Sequence, residues 1–140
     1  MRTTKSLAVI VVVALLGLSA AGCGPELPDT DPQVRGVVTA MTPTGVDTGT
    51  IRIVWHELAG EQAELDSIDA TVEEGTDVFA EDGSPITFSD LRERDIVEAW
   101  VTGPIAESYP PQGSASAVRV IGMFDAMRPL PIPPGLIEPQ

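Results

Sequence analysis

Cysteine, histidine, lysine and tyrosine each occur once in this 140-residue chain, as Cys23, His56, Lys5 and Tyr109. A lone cysteine cannot close an internal disulfide, so no disulfide framework holds the fold. A single histidine excludes a histidine-based metal cluster, and no G-x-S-x-G elbow frames a serine for it to activate. On a strand face opposite Trp55, His56 reads as a surface residue, and the sequence carries no catalytic constellation. The scarcity of lysine leaves 8 basic against 21 acidic residues, a formal net charge of −13. Such a surface repels phosphate, and nucleic-acid binding depends on Lys and Arg displacing counterions, so nucleic acid is set aside as a partner. It also repels anionic headgroups, so any membrane attachment needs a covalent or apolar anchor. There is no tandem repeat, and a chain of this length has room for one domain, since single domains run to roughly 100 to 150 residues.

What the chain does have is a long apolar run, and it lies at the start. Arg2 and Lys5 form a positive n-region ahead of Leu7 to Leu18, LAVIVVVALLGL. Twelve residues of helix rise roughly 18 Å, short of the roughly 30 Å hydrocarbon core, so this reads as the h-region of a signal peptide over residues 1–22 and not as a permanent span. Ala20-Ala21-Gly22-Cys23 resembles the bacterial lipobox, in which the cysteine thiol is lipidated and the peptide is cut before it. The match departs at Ala20, where the pattern prefers Leu. The competing reading is ordinary cleavage after Ala21, because Ser19-Ala20-Ala21 also satisfies the small-x-small rule; Cys23 would then be an unpaired thiol. The lipobox reading puts the chain on the extracytoplasmic face of the cell membrane, as a lipoprotein held by acyl chains such as palmitate on Cys23. Residues 24–33, GPELPDTDPQ, hold three prolines and three acids. With Cys23 they read as a flexible tether, long enough to hold a domain about 30 Å off the bilayer.

Residues 34–126 read as an all-β domain. Val34 to Met41 is β-branched, with Gly36 permitting a bend. Ile51 to Leu58 alternates, with Ile51, Ile53 and Trp55 on the core side, and Ile68, Ala70 and Val72 alternate in the same way. Asp82-Gly83 marks a hairpin between Thr76 to Ala80 and Pro85 to Phe88. Thr87 and Asp90 fit a capping signature and predict one short helix over Ser89 to Arg92 with Leu91 buried. Ile96 to Thr102 and Ala115 to Phe124 supply the last two strands. Five main strands, a minor hairpin and a short helix between the third and fourth strands predict a small OB-like β-barrel, with a sandwich-like β domain as the runner-up. Residues 127–140, MRPLPIPPGLIEPQ, contain five prolines and predict a polyproline-like or disordered tail.

Several segments occur together: I-V-W at Ile53 to Trp55, D-V-F at Asp77 to Phe79, F-S-D-L at Phe88 to Leu91, V-E-A-W at Val97 to Trp100, G-P-I-A-E-S-Y-P-P-Q at Gly103 to Gln112, and a closing A-x-x-V-x-V from Ala115. They resemble a bacterial family of small secreted or lipid-anchored proteins classed as a domain of unknown function, with E-S-Y-P-x-Q at Glu107 to Gln112 the most specific part. The resemblance covers roughly Val34 to Val120. It implies a compact β domain behind a lipoprotein leader, and no activity, ligand or cofactor.

The candidate ligand residues are Glu107, Tyr109, Gln112 and Trp100. The first three place an anion, a hydroxyl and an amide on a proline-stiffened loop, and in OB-type barrels the loop between the last two strands often lines the ligand face. The alternative is a structural corner in which Tyr109 plugs the barrel end. Glu57, Glu61, Glu64, Asp66, Asp69, Glu73 and Glu74 form an acidic stretch without EF-hand spacing, which reads as a solvated face and not as a calcium site. No metal or cofactor is expected. The function expected is a non-catalytic binding or interaction module of the bacterial envelope, anchored through Cys23; the alternative is an accessory subunit docking an envelope protein through the Pro-rich tail.

Overall fold

The computed structural model describes residues 25–136. The expected signal peptide, Cys23 and the last four residues of the tail lie outside them. Seven strands form one sheet: β1 (Val34–Pro43), β2 (Gly49–Val54), β3 (Ser67–Val72), β4 (Asp77–Phe79), β5 (Pro85–Ile86), β6 (Asp95–Ala106) and β7 (Gln112–Met123). β1 lies between β2 and β6, β2 pairs with β3, and β6 pairs with β7, all antiparallel. A short parallel pairing of Asp69–Thr71 with Gln112–Ser114 then joins β3 to β7. The Asp69 N–H also donates to Pro111 O at 2.7 Å. Five strands therefore close into the ring β1-β2-β3-β7-β6, the OB-like barrel expected from the strand count. The β4–β5 hairpin is appended outside the ring, with β4 parallel to β7.

Alternation fills the barrel. Val34, Val38, Ile51, Ile53, Ile68, Ala70, Val72, Val97, Ala99 and Val118 are buried in one cluster, capped by Phe88 and Leu91. β1 reaches both sides of the ring because Gly36 lets it pass close over β2: a Cβ there would overlap the Val54 carbonyl. A bulge between Val38 and Ala40 adds to the bend.

Four local expectations are corrected. The predicted helix is one 3-10 turn over Phe88–Asp90, because Leu91 is already extended at φ −73°, ψ 150°, and turns its side chain into the core. Asp90 Oδ2 does accept from the Thr87 backbone N–H at 3.0 Å, so the cap is present without the helix. β2 stops at Val54, which is 2% exposed, and Trp55 falls outside the barrel wall with its indole N–H donating to Gly60 O at 3.1 Å. The last two strands run 12 residues each, through Gly103 and Pro104 on β6, because each finds a partner along nearly its whole length. Among the described residues of the tail, 127–136, there is no helix or strand, yet the segment is pinned. Arg94, at φ +79°, donates from Nη1 to Asp125 O (2.9 Å) and Arg128 O (3.0 Å), and Leu130 packs on Val37, Ala59, Ile96 and Phe124.

Candidate functional site

The outer side of β1, β2, β3 and the start of β7 carries two straight rows of polar side chains. Register aligns Thr42 with Thr50, Thr50 with Thr71, and Thr71 with Ser114. The next row aligns Ala40 with Arg52, Arg52 with Asp69, and Asp69 with Gln112. These residues share a face because they alternate with the buried Ile51, Ile53, Ile68 and Ala70. Two adjoining hollows of about 240 and 250 Å³ lie on the rows, lined by Ala40, Thr42, Thr50, Arg52, Asp69, Thr71 and Gln112. The β1–β2 and β6–β7 loops border the face.

Its charge is neutralised internally. Arg52 grips Asp69 with two bonds, Nε to Oδ1 at 2.7 Å and Nη2 to Oδ2 at 3.0 Å. The hydrogen bond to Asp69 holds the Arg52 guanidinium above its ordinary pKa. Around this neutral fork the row of hydroxyls offers both donors and acceptors, and the Gln112 amide adds one of each kind.

The four candidate ligand residues separate. Gln112 is exposed and lines the face, while Glu107 is exposed on the loop before it. Tyr109 is 80% exposed, so it does not plug the barrel end; Pro110 is the buried residue of that loop, and Ser108 Oγ donates to its carbonyl at 2.7 Å. Trp100 is on the other side of the barrel and only 6% exposed, packed with Phe79, Ala117 and Leu27. Its indole N–H donates to Thr30 O at 2.7 Å. A covered indole has no open ring face to offer a ligand, and Trp100 is a packing residue.

His56 is also structural. Its Nδ1 accepts from the Leu58 N–H at 3.1 Å, capping a 3-10 turn over Glu57–Ala59, and its ring stands edge-on to Phe124 with centroids 4.9 Å apart. Among the described residues no three His, Cys, Asp or Glu side chains converge as metal ligands. Three larger hollows open elsewhere among the described residues: about 450 Å³ beside Asp47, Glu73 and Glu74, about 510 Å³ beside Asp31, Arg35, Glu61 and Glu64, and about 380 Å³ beside Glu81, Asp90, Arg92 and Asp95. In each, carboxylates outnumber cations, unlike the balanced charge of the polar rows.

Arg52, Asp69, Thr42, Thr50, Thr71 and Ser114 were not singled out by sequence reasoning as a site. Alternation puts Arg52 opposite Ile51 and Ile53, and Asp69 and Thr71 opposite Ile68 and Ala70, so their facing was readable. Their alignment across four strands depends on register, which no local pattern encodes. Compared with protein-family models, curated proteins and solved structures, the chain matches none.

Proposed function

We propose that this chain is a non-catalytic binding module of the bacterial envelope, anchored by a lipid on Cys23, whose ligand lies across the rows on β1, β2, β3 and β7. The observation that carries the reading is the pair of aligned polar rows with an internally neutralised ion pair, beside two loops. In OB-type barrels this strand face and these loops serve oligonucleotides and oligosaccharides. The acidic balance of the chain disfavours the first class, and a neutral, hydroxyl-bearing ligand suits donors and acceptors that carry no net charge. Docking of an envelope partner through the Pro-rich tail is the weaker reading, because Leu130 and the backbone carbonyl of Arg128 are already engaged with the barrel.

Titration with neutral oligosaccharides, followed by amide chemical shifts, tests the ligand face. Shifts are expected at Thr50, Arg52, Thr71 and Gln112. Thr50→Val with Thr71→Val should weaken binding about tenfold, equivalent to about 1.4 kcal/mol, with the fold intact. Shifts confined to other surfaces would refute the assignment. The anchor is tested separately: Cys23→Ser should release the protein from the membrane fraction and abolish incorporation of labelled fatty acid.

A further inference from the structure

We infer that the domain sits close against the bilayer by the outer side of β6 and β7, with the polar β1–β2–β3 face turned away. The inference rests on lipidation of Cys23 and adds a distance and an orientation to that reading.

A free tether over residues 24–33 would allow about 30 Å of stand-off and any orientation. Most of that length is spent on the barrel. Leu27 packs on Phe79, Trp100 and Ala117. Thr30 O receives the Trp100 indole N–H at 2.7 Å. Gln33 is held three ways: its N–H donates to Ala99 O (3.1 Å), its carbonyl accepts from Leu65 N (2.8 Å), and its Oε1 accepts from Val101 N (2.7 Å). Pro32 between them is buried. From Leu27 onward the segment is a strap laid on the domain, and only residues 24–26 separate it from Cys23. Four Cα steps at most about 3.6 Å each reach roughly 14 Å.

The strap fixes which side is near the lipid. In the ring β1-β2-β3-β7-β6, the neighbours of β2 are β1 and β3, so the β6–β7 pair lies across the barrel from it. Leu27 rests on the β6–β7 side, and the polar rows run over β2.

The test uses the full chain, matured and lipidated, in phosphatidylcholine vesicles carrying headgroup energy acceptors. A donor dye is placed by Thr102→Cys, exposed on β6 two residues beyond Trp100, or by Thr42→Cys on the polar face. Transfer should be greater from position 102 than from position 42. Leu27→Asp with Gln33→Ala should abolish the difference. Vesicle-bound protein with equal transfer from both positions, or more from position 42, overturns the orientation while leaving the anchor standing. Protein that stays off the vesicles and carries no fatty acid overturns the anchor, and the orientation with it. The strap has a readout without lipid: in detergent, the Val101 amide should exchange slowly, and rapidly in the double variant. Rapid exchange in the unaltered chain overturns the strap.

Discussion

The two outer faces of this barrel are built from the same kind of strand and treated in opposite ways. On β6 and β7 the outward side chains include Ile96, Trp100, Ala117 and Ile121, and both terminal segments are laid over them, Leu27 at one end and Leu130 at the other. On β2, β3 and the end of β1 toward Thr42, the side chains lining the hollows are Ala40, threonines, Arg52 and Asp69, and among the described residues only Gln112 at the start of β7 joins them there. A five-stranded ring has too small an interior to bury every apolar side chain it carries. The chain recruits its ends to cover one side and makes the other polar enough to stay open. Covering therefore identifies structural surface, and the uncovered polar face is where recognition has room to occur.

The comparison breaks most visibly at Trp100. Trp100→Ala removes the contact surface of Phe79, Ala117 and Leu27 and the bond to Thr30, so a loss of about 3 to 5 kcal/mol is expected in urea unfolding. A loss below about 1 kcal/mol would mean that the covered side contributes little and that the contrast between the faces is false. On the open side, Arg52→Met should cost at most about 1 kcal/mol, because the ion pair is part-exposed with side-chain exposures of 33% and 17%. The same variant should reduce ligand affinity. A large stability loss with unchanged binding would make the polar rows a structural feature.

The smallest effect concerns how each side satisfies a carboxylate. Asp69 has the Arg52 fork, whereas Asp95, 6% exposed at the start of β6, relies on the Arg92 backbone N–H at 2.8 Å. Burial raises the Asp95 pKa above its ordinary 3.8, with the Arg92 N–H and the Arg92 charge offsetting only part. Its contribution to stability is therefore fully present below 3.8 and declines as pH rises through the raised value. Asp95→Asn keeps an acceptor for Arg92 and should remove that decline, seen as a flatter melting temperature between acid and neutral pH. An unchanged slope would show that Asp95 is adequately solvated.

Much of the barrel was legible because each strand declares its buried face. The series Ile68, Ala70, Val72 and the pair Val97, Ala99 face inward as their alternation predicts. Asp82-Gly83 makes its turn, with Gly83 at φ +87° and the Ala80 N–H donating to Ser84 O at 2.8 Å. The failures fall where one pattern serves two environments. Proline and acid in 24–33 look like a tether, yet three well-placed groups, Leu27, Thr30 O and Gln33, are enough to dock it. Tyr109, the only tyrosine, invited a buried or ligand role, while the small loop gives its buried place to Pro110.

By itself, then, the sequence determined the strand content, the inward faces, the hairpin and the acidic balance, because alternation, turn chemistry and charge are properties of neighbouring residues. Only the tertiary structure decided that Thr42, Thr50, Thr71 and Ser114 form one row, that Asp69 lies between Arg52 and Gln112, and that the segment before β1 lies on Trp100. Those contacts join residues 8 to 70 positions apart, and register and closure, which local preferences do not specify, set them.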